Sequence, residues 1–407
     1  MRAATTLLFL IASALLGATV ARGADWELDL DLRAVSSDAA TSVLDGGYGP
    51  TRFSERQSGL QLGRLRLALN VPLGEVWKLH LDASAWDHSY RNPMGLTEAY
   101  LQFRPYPRNH LRLRVKAGGF YAPVSLENGA GGWTSPYTLS YSALSSWLAE
   151  EVRTVGLEAK VDWLGTRSDL PFDISAIGGV FGWNEVAGAA LAGGGFILDD
   201  RQTPLFDRVG RFESDGARIE PFREIDGRAG YYAGLALEAP GRFVLTALRY
   251  DNRANPAAVD ALEHVIAWHT TFNSVAARLE YGAGWTVIAQ WLSGQTAIAP
   301  RGSDLDWPFD ARYLLLSKRV GSRQRLSVRY DRFRVESRNV EPDGEQSGHG
   351  WTVAYMFNPG KSWSLTLEGL RVTSNSYIWG EEQSHPGPVT DTQVQLAVRY
   401  ALGSAGY

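Results

Sequence analysis

The sequence predicts an all-β protein, a transmembrane antiparallel β-barrel of about 16 strands. Segments in which apolar and polar residues alternate occur from one end of the chain to the other. The connections between these segments alternate strictly between short and long, and aromatic residues flank nearly all the short ones. Each observation is typical of strands that present one face to lipid and the other to water.

The last alternating segment shows the pattern most clearly, in TQVQLAVRYAL at residues 392–402. Val394, Leu396 and Leu402 are apolar, whereas Gln393 and Gln395 between them are polar, which is the period of a strand. Sixteen such segments are predicted, at Asp25–Val35, Ser58–Val71, Val76–Asp87, Leu96–Arg104, His110–Tyr121, Val152–Trp163, Phe172–Gly182, Ala229–Ala239, Arg242–Asn252, Ile266–Tyr281, Trp285–Ser293, Ala311–Val320, Arg325–Val335, Gly350–Asn358, Ser362–Ser374 and Val389–Leu402.

The lengths of the connections indicate a closed meander rather than a soluble sandwich. A barrel in the outer membrane has short turns at its periplasmic rim and longer loops at its outer rim. A sandwich with Greek-key crossovers gives no reason to sort its loops by length. The longer stretches predicted here are 36–57, 88–95, 122–151, 183–228, 253–265, 294–310, 336–349 and 375–388.

Aromatic residues beside the short connections predict that the apolar face touches lipid. Examples are Trp77, the pair Tyr281 and Trp285, and the pair Phe357 and Trp363. Amphipathic rings prefer the headgroup level of a membrane, so a ring of them around one rim indicates an interfacial girdle. The usual enrichment of aromatic residues in strands would explain their number but not their placement. About 16 strands would enclose a water-filled lumen.

The termini and the composition limit the remaining possibilities. Residues 1–23 read as a signal peptide, with Arg2 before the apolar run Leu7–Leu16 and small residues at the end; the alternative is a buried N-terminal helix. Residues 24–407 then form a single barrel domain. The chain has no cysteine, a net charge of −4 and no basic tail, which argues against disulfides and against nucleic acid as a partner. No motif predicts a cofactor or a metal site.

The polar faces of the strands carry the candidate residues of the lumen. On the fifth segment, Arg112, Arg114 and Lys116 alternate with apolar residues and should form a basic column that faces water. Arg64 and Arg66 hold the same positions on the second segment. Two interpretations stay open: the column attracts anions, or acids on neighbouring strands neutralise it.

The third long connection, Ala122–Glu151, should be structured. Its end, Ser140–Glu151, has apolar residues at helical spacing. We expect it to fold against the inner wall and narrow the pore, with Glu127, Glu150, Glu151 and Arg153 as candidate charges at the constriction. An external cap over the mouth of the barrel is the alternative.

Two blocks around this connection resemble the phosphate- and polyphosphate-selective porin family. The first is VKAGGFYAPVSLENG, with Gly119, Phe120, Pro123, Ser125 and Glu127 in the family's pattern. The second is SWLAEEVRTVGLE, in which an acid precedes Arg-x-x-Gly. The resemblance implies a 16-stranded, usually trimeric outer-membrane porin whose third loop folds inward. Lys160 lies between Glu158 and Asp162, unlike the basic clusters of the phosphate-selective members, so phosphate selectivity is not among our expectations.

We therefore expect a water-filled diffusion channel for small hydrophilic solutes, anions among them, that contacts outer-membrane lipid and lipopolysaccharide and forms a homotrimer. An outer-membrane enzyme or an adhesin that acts through its long loops is the alternative. The carboxylates in LDDRQ, residues 198–202, match no catalytic or metal motif. The glycine-rich part of the fourth long connection, GAALAGGGF, reads as a flexible loop.

Overall fold

The computed structural model describes residues 23–87, 93–209, 219–260, 262, 265–338, 344–376 and 385–404. The predicted signal peptide lies outside the described residues, except for Gly23. No helix among the described residues is long and apolar enough to cross a membrane.

The structure is a closed antiparallel barrel of 16 strands, as the sequence predicts. The first strand pairs with the second and also with the last, so that Asp31 faces Arg64 on one side and Arg399 on the other. The strands are β1 Asp25–Ser37, β2 Gly59–Leu73, β3 Trp77–Ala85, β4 Met94–Phe103, β5 Leu111–Phe120, β6 Thr154–Trp163, β7 Asp173–Gly182, β8 Gly230–Ala239, β9 Phe243–Asp251, β12 His269–Tyr281, β13 Trp285–Ile298, β14 Leu305–Val320, β15 Gln324–Val335, β16 Gln346–Phe357, β17 Trp363–Ser376 and β18 His385–Gly403.

The other regular elements lie in the connections. The short strands β10 Val259–Asp260 and β11 Val265–Ile266 pair with each other outside the barrel wall. Two α-helices are described, α1 at Ala143–Glu150 and α2 at Ala189–Gly194. Single 3-10 turns occupy Val43–Asp45, Glu55–Gln57, Gly165–Ser168 and Pro300–Gly302.

Some strands extend further than the sequence indicated, on the side of the long connections. Strand β14 begins at Leu305 instead of the predicted Ala311, and it pairs there with the end of β13, Trp307 opposite Thr296. The outward residues of this extension are Asp306, Pro308 and Asp310, so the alternation that marks a lipid-facing strand stops although the hydrogen-bond ladder continues. The wall therefore rises beyond its apolar band.

The apolar side chains of the strands point outward, as predicted from the last segment. On β18, Val394 and Leu396 are exposed whereas Gln393 and Gln395 are buried. At the rim of the short turns, Trp77 packs on Phe103 with ring centroids 4.7 Å apart, and Trp363 packs on Tyr400 at 4.5 Å. These outward rings form the expected interfacial girdle.

The hydrophobic core lies inside the barrel rather than between two sheets. Two loops fold into the lumen: L3, residues 121–153, and L4, whose described residues are 183–209 and 219–229. Trp147 of α1 is fully buried, and its ring meets Phe196 of L4 at 6.3 Å, Phe272 of β12 at 5.5 Å and Phe309 of β14 at 5.0 Å. The inward placement of the third long loop is confirmed.

Replacing Trp147 with alanine should release both loops from the wall while the barrel itself persists. Loss of a buried tryptophan costs about 3–5 kcal/mol of packing free energy. We expect faster trypsin cleavage at Arg201, which is buried in L4, with an unchanged strand-type circular dichroism spectrum. Trp351→Ala is the matched control, because Trp351 is 51% exposed on the outer face. Equal trypsin resistance of Trp147→Ala and the wild type would contradict this account of the core.

Candidate functional site: the lumen and its two inward loops

L3 is tied to the opposite wall by a buried ion pair. Arg329 of β15 contacts Glu127 of L3 at 2.6 Å and Asp331 of its own strand at 2.8 Å, and all three residues are almost completely buried. Arg329 also donates to the carbonyl oxygens of Ser140 and Tyr141, each at 2.7 Å. A buried arginine needs partners for its several donors. These contacts fix the segment that leads into α1.

Glu127 also accepts a hydrogen bond from the backbone nitrogen of Ser142, at 3.1 Å to each carboxylate oxygen. Ser142 is the N-cap of α1, and its side chain accepts from the backbone nitrogen of Ser145. Glu127 therefore orders the start of the helix. It does not present its charge to solvent at a constriction, where the sequence analysis expected it.

Glu151 joins the end of L3 to L4. Its carboxylate accepts from the indole nitrogen of Trp147 at 2.8 Å and from the backbone nitrogens of Ala190 and Leu191 at 2.8 and 3.1 Å. These two amides belong to the first turn of α2, where backbone donors lack partners within the helix. Glu151 is fully buried, so it acts as a link between the loops rather than as a pore charge.

Glu150 and Arg153, the other two candidates from L3, are also buried. Arg153 donates to the carbonyl oxygens of Thr97 and Ala149, both at 3.0 Å, and to the hydroxyl of Tyr121 at 2.5 Å. Its guanidinium lies 4.1 Å from the centroid of the Tyr121 ring. The structure thus places Glu127, Glu151 and Arg153 in contacts between the loops and the wall, and it buries Glu150 as well.

L4 folds into the lumen as well, which corrects the interpretation of GAALAGGGF as a flexible loop. Its residues Ala189–Ala192 and Phe196–Leu198 are buried. The side chain of Gln346 on β16 accepts from the backbone nitrogen of Phe196 at 2.6 Å and donates to its carbonyl oxygen at 3.0 Å. The backbone nitrogen of Tyr141 in L3 donates to the carbonyl oxygen of Asp199 at 2.6 Å. The described part of L4 is therefore a packed element.

Gly119, part of the family-like block on β5, is where L4 meets the wall. A Cβ atom on this glycine would lie 2.6 Å from the side chain of Leu205 of L4. Contacts between carbon atoms are about 3.5–4.0 Å. Glycine at this position allows the close approach of the loop, which gives the motif residue a packing role.

The predicted basic column faces the lumen beside acids of β6. The nearest contacts are 2.8 Å between Arg112 and Asp162, 3.2 Å between Arg114 and Asp162, and 3.5 Å between Lys116 and Glu158. Lys160 also lies 3.3 Å from Asp162. Both interpretations of the column thus apply in part: acids pair with it, but four cations share two carboxylates.

The cations of the column remain in contact with water. The side chains of Arg112, Arg114 and Lys116 are 29%, 34% and 28% exposed. A partly solvated excess of positive charge in a narrow lumen raises the local concentration of anions.

Arg64 and Arg66 of β2 also point inward, but their roles differ. Arg66 is buried and makes ion pairs of 2.7 Å with Glu27, Asp29 and Asp82. Arg64 donates to the carbonyl oxygen of Gly132 in L3 at 3.1 Å and lines a cavity of about 780 Å³ below that loop. Arg64 is therefore the one of the two that faces open space.

This lower cavity is a vestibule near the rim of the short turns. Its cationic lining combines strands and turns: Arg64, Arg323, Lys361 and Arg399. A second cavity, of about 250 Å³, lies at the side of the long loops and is lined by Arg52, Asp87 and Arg201 among others.

A chain of ion pairs connects the upper cavity with the vestibule. Arg52 in the loop after β1 contacts Asp200 of L4 at 2.7 Å, and Asp200 contacts Arg33 of β1 at 2.5 Å. Arg33 contacts Asp31 at 2.7 Å, and Asp31 contacts Arg399 at 2.8 Å. Three arginines and two aspartates alternate, so this chain of ion pairs has a net positive charge.

Asp200 contributes a full negative charge to this chain. Burial opposes its ionisation, but Arg33 and Arg52 outweigh burial and hold the pKa of Asp200 well below its ordinary range. Burial, reinforced by Glu150 and Asp200, instead raises the pKa of the neighbouring Asp199 to about 8. At neutral pH, the DD pair of L4 therefore carries one charge, which lies between two arginines.

This chain of ion pairs was not predicted from the sequence. Arg33 follows Asp29 and Asp31 at alternate positions of β1, so its inward direction was readable from the same alternation. Arg52 and Asp200 lie in loops, where no periodicity fixes the direction of a side chain. Their contact depends on the inward fold of L4.

Neither a family model nor a curated protein matches the chain. Solved structures match its fold. DcaP, an outer membrane channel of Acinetobacter baumannii, aligns with a TM-score of 0.55 at 11% identity over 93% of this chain and 96% of that chain. The trimer form of OmpT, an outer membrane protein of Vibrio cholerae, gives 0.51 at 11% identity over 93% and 98%. Salmonella typhi OmpF, in complex with daunomycin, gives 0.50 at 10% identity over 93% and 97%.

At these identities the likeness concerns the fold, which this chain shares with these outer membrane proteins over most of its length. Its own features agree with that setting, since it has an apolar outer face, an aromatic girdle and sorted loop lengths. The chain is a transmembrane β-barrel of the Gram-negative outer membrane.

Replacing Asp200 with asparagine should break the ion pairs that separate the two cavities and so open a path between them. The change leaves Arg33 and Arg52 without their shared anion, and breaking a buried ion pair by removing one partner costs about 3–5 kcal/mol. In planar bilayers we expect higher single-channel conductance and a reversal potential shifted toward anions. Asp45→Asn is the control, because Asp45 lines the same upper cavity outside the chain of ion pairs. Identical conductance of Asp200→Asn and wild type would rule out this chain as the barrier.

Proposed function

We propose that the protein is a diffusion channel through which small hydrophilic anions cross the outer membrane. The observation behind this proposal is the basic column of β5, Arg112, Arg114 and Lys116, which faces the lumen beside Lys160 of β6, with Asp162 and Glu158 as the acidic partners of the four cations. The excess of two positive charges is the feature that a channel for anions needs.

The surroundings of the column support an anionic solute. The vestibule is lined by four cations, Arg64, Arg323, Lys361 and Arg399, and by three acids, Glu27, Asp29 and Asp31, so its lining has a small cationic excess. A solute that leaves the vestibule toward the upper cavity would meet the chain of ion pairs, which has one more cation than anions. Successive sites of moderate attraction suit conduction, because a solute must be able both to bind and to leave.

Membership of the phosphate- and polyphosphate-selective porin family stays a hypothesis, supported by the two sequence blocks around L3. Their residues Gly119, Glu127 and Glu151 hold L3 and L4 in the lumen. Arginine side chains can bind phosphate in a bidentate manner. The acids beside the column, Asp162 and Glu158, would weaken such binding, so we propose a general anion preference rather than phosphate selectivity.

We further propose that residues 1–23 direct export and are removed, and that residues 24–407 form the mature channel. The alternative functions, an enzyme or an adhesin, relied on the long loops. Asp199 and Asp200 of LDDRQ are instead buried: the backbone carbonyl oxygen of Asp199 accepts from L3, and the carboxylate of Asp200 pairs with Arg33 of β1 and with Arg52. This placement favours a role of L4 in the lumen over a role at the cell surface.

Removing the basic column should lower anion preference. The test compares reversal potentials across a salt gradient for the wild type and the variant Arg112→Ala, Arg114→Ala, Lys116→Ala. We expect a shift toward cations, because Asp162 and Glu158 would then face Lys160 alone. The shift should shrink at high salt, where screening acts over less than about 8–10 Å. A matched control removes three cations from the outer face, Arg249, Arg334 and Arg371. Unchanged selectivity in a variant that still inserts and conducts would show that the column has a structural role and does not set the anion preference.

A homotrimer is the assembly we propose, since exported channels tend to form closed cyclic assemblies. The detergent-corrected mass from light scattering should be three times that of the mature chain. A monomer mass would remove the trimer and leave the channel proposal intact.

A further inference from the structure

Two arginines face each other on the outer wall of the barrel. Arg312 of β14 and Arg332 of β15 are direct register partners and both are exposed. Neither has an ion pair or a hydrogen bond within the part of the chain that the structure describes. His349 of β16 is the next register partner of Arg332. Like charges directly opposite each other destabilise a sheet, so this arrangement calls for an anion from outside the chain.

The pair lies where the apolar band ends toward the long loops. Arg312 is the register partner of Trp291, and the rings of Tyr330 and Trp351 lie 4.8 Å apart on the neighbouring strands. Together, Trp291, Tyr330 and Trp351 form a second aromatic level on the outer wall. Trp291 is six residues along β13 from Trp285, which lies at the other rim. Beyond it, the outward residues are polar: Ser293, Asp310, Arg334 and Ser347. The two arginines therefore lie at the upper edge of the apolar band, on the side of the long loops, where the outward residues become polar.

An apolar groove of about 570 Å³ runs along the outer wall from this level toward the membrane centre. Its floor is the cross-strand pair Ala277 and Ala289, whose small side chains leave space between larger neighbours. Its sides are the outward side chains of Leu245, Val275, Trp291 and Leu314, and Arg312 lies at its upper end.

We propose that this groove and the arginine pair bind a phosphorylated glycolipid of the outer leaflet, the lipid A part of lipopolysaccharide. A phosphate at the headgroup level would lie between Arg312 and Arg332, whose guanidinium groups can each make two charge-assisted hydrogen bonds to it. One acyl chain would fill the groove over Ala277 and Ala289. The site is on the outer wall, so it is separate from the lumen and does not depend on what the channel conducts.

Charge and shape together favour a lipid over a second copy of the chain as the occupant. The upper end of the groove is cationic, whereas its floor is apolar and narrow, which matches a phosphate joined to a hydrocarbon chain. Asp310 is the outward acid on β14, but its register partner is Arg334. Arg334 also contacts Glu336 at 2.5 Å. That leaves Arg312 and Arg332 as the pair that needs an external anion.

The test is binding of purified lipid A to the detergent-solubilised protein, measured by native mass spectrometry, for the wild type and Arg312→Gln/Arg332→Gln. Each cation near an anionic lipid surface strengthens binding about fivefold. The variant removes two cations, so we expect the dissociation constant to rise about thirtyfold. Lipid A without its phosphates should bind the wild type about as weakly as the variant binds intact lipid A. A second variant, Ala289→Phe, fills the groove and should also weaken binding while both arginines remain.

Arg249→Gln/Arg371→Gln is the matched control, since it removes two cations from the same outer face on β9 and β17, which are not neighbours of β14 or β15 in the barrel. Its affinity for lipid A should equal that of the wild type. Equal binding of intact and dephosphorylated lipid A would overturn the proposal, as would equal weakening by the control variant. A loss of oligomer mass in Arg312→Gln/Arg332→Gln with unchanged lipid binding would identify the surface as a subunit contact and overturn it too. Conductance should be the same in all variants, so a failure here leaves the channel proposal untouched.

Discussion

The requirement that every backbone polar group in a membrane has a hydrogen-bond partner dictates most of this structure. Hydrocarbon offers no such partners, so a sheet that crosses it must close on itself. Here closure joins β1 to β18 through eleven register pairs from Glu27 to Ser37. Closure fixes which face of each strand meets lipid, and the other face is then inside. The directions of the basic column, of Arg33 and of Arg329 all follow from this one constraint.

The second level of organisation is polar and lies inside the wall. Each loop is held by side chains that satisfy its free backbone groups, such as Glu151 at the first turn of α2 and Gln346 at Phe196. Arg329 and Glu127 join the loops to the wall as a buried pair. Such a pair adds little net stability compared with apolar packing, but removing one partner is costly. The pair therefore specifies where L3 rests more than how strongly it is held.

Alternation along the chain was sufficient to predict the strands and the inward direction of Arg64, Arg66 and the basic column. It could not show which side chains meet, because contacts between strands depend on register, and register is set by turns and bulges such as the one at Asp31 and Leu32. The inward fold of L4 was missed, although the sequence held a sign of it. Strands β13 and β14 carry apolar residues on their inner faces as well as on the part of their outer faces that meets lipid, with Ile288, Leu292 and Leu315 fully buried inside. A strand apolar on both faces needs a packing partner in the lumen.

Arg33 joins three parts of the chain that are far apart in sequence. It contacts Asp31 on β1, Gln395 on β18 at 2.9 Å, and Asp200 on L4. Its partner on β18 comes into place only when the first and last strands meet. Before the barrel closes, Arg33 lacks the contact with Gln395 that helps to orient its guanidinium toward Asp200. L4 should therefore take its place in the lumen only after the barrel has closed. The pore is then wide when the barrel forms in the membrane, and it narrows afterwards.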